Sequence, residues 1–199
     1  MTGGGLPLLA GVDEVGRGPL AGPVAAAAVI LGPEEITGIN DSKLLGPRKR
    51  EHLAQQIRRQ ALAWCIACAS VTEIEQINIR QASLLAMRRA VEGLPKRPDK
   101  VLVDGNCLPQ WSFAAEAIIG GDRKVKVISA ASILAKVWRD GFMTRLHEEY
   151  PAYHFSSNKG YPTPEHLAAL RNFGATPVHR HSFAPVRRVC VDPIPELSR

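Results

Sequence analysis

Cysteine is scarce: four residues in 199 are too few for a disulfide scaffold. Cys65 and Cys68 form a CxxC, but they sit in the apolar run Leu62 to Ser70, which reads as a buried strand whose residues three apart point to opposite faces. That spacing opposes joint metal binding. With Cys107 and Cys190 isolated, the thiols read as packing groups rather than a zinc or redox centre. Long apolar runs are missing as well. The longest, Val24 to Leu31, is bracketed by Pro23 and Pro33 and falls far short of the roughly 20 residues a membrane helix needs. Residues 1 to 10 lack the basic start of a secretory signal, and Asp13 and Glu14 follow too soon for an export segment. The expectation is a cytoplasmic chain with no membrane attachment. There is no repeat and no low-complexity tract. A composition of 45% hydrophobic and 22% charged residues excludes disorder as the main state, and the length fits one domain.

Acid is absent where base is dense. The net charge is +6, and residues 171 to 190 hold Arg171, Arg180, Arg187 and Arg188 with no Asp or Glu. Residues 41 to 60 carry Lys43, Arg48, Lys49, Arg50, Arg58 and Arg59 against Asp41 and Glu51. Such clusters suit a polyanion, although either alone reads as solvated surface unless an anion-processing site lies nearby.

Hydrophobic patterning predicts strands at Leu8 to Val15 and Val24 to Leu31, joined as a hairpin through the Gly- and Pro-rich turn Gly16 to Pro23. A basic helix at 47 to 60 and a strand at Leu62 to Ser70 follow. Thr72 with Glu75 has capping-box spacing for a helix to about Glu92, with Ile74, Ile77, Leu84 and Val91 on one face, stopped by Gly93 and Pro95. Val101 to Asp104 and Val125 to Ile128 read as strands. Ser129 is expected to open a long helix with Leu134, Trp138, Phe142 and Leu146 facing inward and Lys136, Arg139 and Arg145 pointing elsewhere. Beyond Pro151 the pattern gives one short helix, about Thr163 to Asn172. The sum is an α/β layer architecture with a mixed sheet.

Four carboxylates stand out against this basic background: Asp13 and Glu14 inside AGVDEVGRG, Asp104 ending VLVDGN, and Asp122 in GGDRK. Each lies in or beside an apolar or glycine-rich segment, where an unpaired charge is costly. Singly they read as caps or turn formers. Together, at strand ends of one sheet edge, they make an all-oxygen site for Mg²⁺ or Mn²⁺. Two such ions about 4 Å apart hold the attacking water and the leaving oxygen of a phosphodiester. Gly16 to Ala21 also matches the dinucleotide pattern GxGxxA, but Pro19, Gly22 and Pro23 forbid the helix that pattern requires.

These residues carry a resemblance to the type 2 ribonucleases H, the bacterial ribonuclease HII family, over Ala10 to about Arg188. Its motifs are Gly11 to Pro23, Asp41-Ser-Lys43, Ile77-Asn-Ile with Ala82 to Ala90, Val103 to Asn106, Gly121-Asp122 with Ala130 to Lys136, Asn158 to Thr163, and His179 to Pro185. The resemblance implies a ribonuclease H-like mixed sheet flanked by helices with a short helical C-terminal segment, as one domain over 1–199 whose residues 156–199 contact substrate. It places the catalytic and metal-binding quartet on Asp13, Glu14, Asp104 and Asp122, with two ions of Mn²⁺ or Mg²⁺. The implied activity is hydrolysis of RNA in RNA/DNA hybrids and incision at single ribonucleotides embedded in duplex DNA, leaving 3′-hydroxyl and 5′-phosphate ends. By the same likeness Gly16, Arg17 and Gly18 read the 2′-hydroxyl and Tyr161 stacks on the following sugar. Ser42, Lys43 and Lys159 are candidate phosphate contacts and Arg180 a candidate substrate contact, whereas His179 and His181 read as structural or phosphate-contacting rather than as catalytic bases. The expected state is a monomer. Adjacent strand residues face opposite ways, so Glu14 binds metal by side chain only at an irregular or terminal position, and its carbonyl remains the alternative. A non-catalytic hybrid-binding module and the related ribonuclease HIII are the competing readings.

Overall fold

The computed structural model describes residues 7–39 and 45–191, so the candidate contacts Ser42 and Lys43 lie outside the described residues. Five strands form one sheet in the order β3-β2-β1-β4-β5: β1 (Leu9–Val15), β2 (Val24–Ile30), β3 (Ala63–Ala69), β4 (Lys100–Asp104) and β5 (Ala115–Ile118). β1, β2 and β3 pair antiparallel, while β4 runs parallel to both β1 and β5, giving the mixed sheet expected.

All of β2 is buried because the sheet is covered on both faces. Val24, Ala26, Ala28 and Ile30 pack in one core with Ile74, Ala82, Ala86 and Ala90 of α2 (Val71–Glu92). Ala27 and Val29 pack on the other side, against Leu53 and Ile57 of α1 (Pro47–Gln60) and Ala130, Ile133 and Leu134 of α4 (Lys126–Glu149). Small side chains let the helices come close. At Gly11 of β1 any Cβ would overlap the backbone of Val127, so α4 lies directly on the strand that ends in Asp13 and Glu14.

A third core joins Leu20 and Ala21 of the β1–β2 connection to Met143 of α4 and to the C-terminal segment: Tyr153, Phe155 of α5 (Phe155–Asn158), Leu170 of α6 (Pro164–Phe173) and Val186 of α7 (Ala184–Val191). Five expectations change. Val125 to Ile128 is no strand: Lys126 already begins α4, and the strand after β4 is the short edge strand β5, followed by the single turn α3 (Gly121–Lys124). The capping box at the start of α2 is Ser70 with Glu73, not Thr72 with Glu75. Within α2 Asn78 takes φ 66°, ψ 163°, a break that shifts the helical phase and leaves Ile77 exposed. In α4 the buried stripe is Ala135, Arg139, Met143 and Leu146, so Arg139 points inward and is fully buried, while Trp138 and Phe142 are half-buried and stacked on each other. Past Pro151 there is more helix than expected, with α5 and α7 flanking α6.

The two buried imidazoles of this third core form a directed chain. The Thr176 amide donates to Nδ1 of His179 at 3.0 Å, so the His179 proton sits on Nε2 and reaches Nε2 of His166 at 3.1 Å. The Nδ1–H of His166 then donates to the Tyr161 carbonyl at 2.9 Å. Both rings must be neutral for this chain, and burial pushes both pKa values down, that of His179 to about 3 with help from His166 and His181. In the unfolded chain imidazoles take up protons below about 6.5. The stabilisation is therefore fully present above that pH and is lost as pH falls toward 3. The urea midpoint should drop between about pH 7.5 and pH 5; His179→Gln should start lower and drop less. Equal drops would show that the pair does not titrate in this range.

Candidate active site

The register of β1 with β4 pairs Val12 with Val103. The next position on each strand is Asp13 and Asp104, so parallel pairing sets these two carboxylates side by side at the strand ends. Asp13 follows Gly11 on the face covered by α4, where the Ser132 side chain hydrogen-bonds it, and Oδ1 of Asp13 accepts the Glu14 amide at 2.7 Å. Glu14 faces the other way. With Arg17, Asp104 and Asn106 it lines a small cleft, closed by Arg80 and Ser83 of α2. Asp122, 3% exposed, sits in the single turn α3, and its amide donates to Oδ1 of Asp104 at 3.2 Å. The Ser129 hydroxyl of α4 holds the Asp122 carbonyl in turn.

Burial, then the charges of Glu14 and Asp104, pushes the Asp13 carboxyl well above its ordinary pKa. Burial also raises that of Glu14, against the attraction of Arg17, whose Nη1 lies 3.5 Å from Oε1. Among the described residues no three carboxylate, imidazole or thiolate groups are already gathered into a ligand shell. The donor set nonetheless fits hard divalent cations. It is all oxygen, Asp13 has like charge beside it, and Arg17 and Arg123 approach Glu14 and Asp122. Opposed strand faces still let Asp13 and Glu14 both act on Asp104, because all three stand where β1 and β4 end.

Beyond β1, Gly16 is buried while Arg17 and Gly18 are exposed, and a Cβ on Gly18 would lie 3.5 Å from Cε1 of the 40% exposed Tyr161. Tyr161 is thus a surface ring beside the loop rather than a core residue. Arg180 is placed otherwise than expected. It is wholly buried, with Nε and both terminal nitrogens donating to the carbonyls of Gly16, Arg17 and Gly22, so it contacts the loop from beneath and presents no charge to a phosphate. Arg139 does the same for Ala21, Pro23 and Lys159. Burial lowers the pKa of Arg139 to about 10 and that of Arg180 to about 9, which leaves both charged at neutral pH. Lys159 is half-buried, its ammonium bonded to Oγ1 of Thr144 at 2.7 Å. His179 is enclosed in the third core and His181 is exposed. Ser132, Arg139 and His166 escaped the sequence reading. Arg139 had a signal, standing four residues from both Ala135 and Met143 on an otherwise apolar stripe.

Carboxylates at parallel strand ends of a mixed sheet, beside an exposed glycine-rich loop in a basic chain, define a metal-dependent nuclease of the ribonuclease H type. The chain belongs to the ribonuclease HII family, whose profile matches residues 10–186. It is 63% identical over 186 residues to "Ribonuclease HII 2" of Methylibium petroleiphilum, covering 93% of this chain and 86% of that one. It is 61% identical over 183 residues to the ribonuclease HII of a Polaromonas species, covering 92% of each. Among solved structures, ribonuclease H2 from Pyrococcus horikoshii superposes with TM-score 0.78 at 27% identity, over 91% of this chain and 96% of that one. The structure titled Bst-RNase HIII in complex with Mn²⁺ shares the fold, with TM-score 0.70 at 16% identity over 94% and 70% of the two chains.

Asp13→Asn should raise the thermal midpoint of the metal-free protein, since it removes a buried charge beside two others. It should also lower cleavage by more than roughly a hundredfold, since even partners behind a metal ligand cost about that much. A lower midpoint with activity retained would take Asp13 out of the site.

Proposed function

We propose that this chain hydrolyses the RNA strand of RNA/DNA hybrids and incises at single ribonucleotides embedded in duplex DNA, using two Mg²⁺ or Mn²⁺ ions. The observation that carries the reading is the register that sets Asp13 beside Asp104 in mutual repulsion with Glu14. Asp13, Glu14, Asp104 and Asp122 would hold the ions. When bound, divalent ions there supply Lewis acidity, activating a water and neutralising charge on the phosphate, which leads to 3′-hydroxyl and 5′-phosphate ends.

The remaining work falls to the protein. Ser132 and the Glu14 amide fix the orientation of Asp13, and the Asp122 amide fixes that of Asp104, so the carboxylates meet the scissile phosphate pre-oriented. Gly18 leaves the loop surface bare, which lets a sugar approach the backbone closely, and Arg17 adds charge beside it. The 2′-hydroxyl is the group that separates RNA from DNA at one nucleotide, and backbone groups of the loop are suited to read it. Tyr161, beside Gly18, offers its ring to the sugar that follows. Duplex affinity comes from exposed bases such as Arg48, Lys49 and Arg59 of α1 and Arg187 of α7.

A duplex carrying one ribonucleotide, incubated with and without Mg²⁺ or Mn²⁺, tests this directly. Metal-dependent incision at the ribonucleotide, with the stated ends, is expected; binding without cleavage would leave a hybrid-recognition module instead. On that substrate Tyr161→Ala should lose roughly ten- to hundredfold in rate, the kinetic equivalent of a stacking contact. Tyr161→Phe, which keeps the ring, should lose much less. Equal losses would shift the role to the hydroxyl.

A further inference from the structure

Two wholly buried guanidinium groups lie under the β1–β2 connection, and among the described residues neither forms an ion pair with a carboxylate. Their donors are spent on backbone. Arg180 holds the carbonyls of Gly16, Arg17 and Gly22, and Arg139 holds those of Ala21 and Pro23. The loop is shaped to these groups. Gly16 has φ 94°, and a Cβ on it would overlap the Arg139 side chain; a Cβ on Gly22 would fall 2.6 Å from the Met143 sulfur. The ring of Phe183 covers the Arg180 guanidinium at 5.2 Å.

The orientation has a geometric consequence. In a trans peptide the C=O of one residue and the N–H of the next point in opposite directions. Carbonyls of Gly16 and Arg17 drawn inward therefore turn the amides of Arg17 and Gly18 outward. Both residues are exposed, and neither amide donates to a described protein acceptor. The two donors stand two and three residues beyond β1, next to the cleft that Glu14, Arg17 and Asp104 line.

We infer that Arg139 and Arg180 are positioning residues for ribonucleotide recognition: by fixing the carbonyls of the loop inward they aim the Arg17 and Gly18 amides at the sugar and phosphate of the ribonucleotide. This rests on the ribonucleotide reading above and extends it to residues that never touch substrate. The carbonyl dipoles are the counter-charge of both buried guanidinium groups. Lysine at either position keeps the charge but has a single nitrogen, which cannot span the two or three carbonyls that the planar fork reaches.

The test compares wild type, Arg139→Lys and Arg180→Lys by cleavage of the single-ribonucleotide duplex, duplex affinity, and hydrogen–deuterium exchange. In Arg180→Lys, kcat should fall by about a hundredfold, as misplacement by an ångström does. Duplex Kd should stay within about threefold, because affinity comes from surface charge. Exchange should speed up in the peptide spanning Gly16 to Gly22 and stay unchanged in β2 and β4. Wild-type kcat in a folded variant, or unchanged exchange in that peptide, would overturn the inference. Collapse of the whole fold in both variants would overturn it too, making the arginines general core supports. A wild type that cleaves no ribonucleotide would contradict the functional reading instead, while the exchange result, which needs no activity, still decides whether the two arginines hold the loop.

Discussion

Asp13 is buried beside two other carboxylates, and the architecture around it follows from keeping it there. Parallel pairing of β1 with β4 brings Asp104 alongside, and the bare backbone of Gly11 admits α4 so that Ser132 reaches Asp13. The single turn α3 carries the Asp122 amide onto Asp104. A folded protein accepts such crowding of like charge at a cost in stability, and function is the usual reason for a perturbed group of this kind. A cation bound among these oxygens would remove the cost, coupling metal binding to stability at the ends of β1 and β4.

A second constraint holds the loop beside the carboxylates. The connection between β1 and β2 has no regular structure of its own, yet its backbone is bonded from below by Arg139 and Arg180 and braced by the third core. The C-terminal segment enters that core through Phe155, Leu170 and Val186, and it presents Tyr161 beside Gly18. The His179–His166 chain ends on the carbonyl of Tyr161, which links the folding of this segment to the position of the ring. The loop, the tyrosine and the carboxylates thus belong to one surface although they come from distant parts of the chain.

Acid in apolar or glycine-rich surroundings of a basic chain drew attention to Asp13, Glu14, Asp104 and Asp122, and the structure sets Asp13, Glu14 and Asp104 together at the ends of β1 and β4 with the Asp122 amide on Asp104. Packing was harder to read. Ser70 with Glu73 and Thr72 with Glu75 have identical cap spacing, and only the end of β3 at Ala69 selects the first. Val125 to Ile128 alternates like a strand, but its backbone is needed as helix against Gly11. β5 is four residues long, pairs on one side only, and carries Glu116 in an ion pair with Lys100, so its pattern is faint. Polarity misdirected the reading of Arg139 and Arg180: Arg180 looked solvent-facing in its basic cluster and Arg139 was read the same way despite its place on an apolar stripe, while the carbonyls that hold both inside belong to the backbone.

If divalent metal relieves the repulsion among Asp13, Glu14 and Asp104, metal must stabilise the folded protein. Thermal unfolding of wild type and Asp104→Asn, each titrated with Mn²⁺, tests it most directly. The wild-type midpoint should rise with metal concentration, since a ligand bound only to the folded state stabilises it by mass action. The Asp104→Asn midpoint should start higher and rise little. A wild-type midpoint indifferent to Mn²⁺, or an equal rise in both proteins, would contradict the claim.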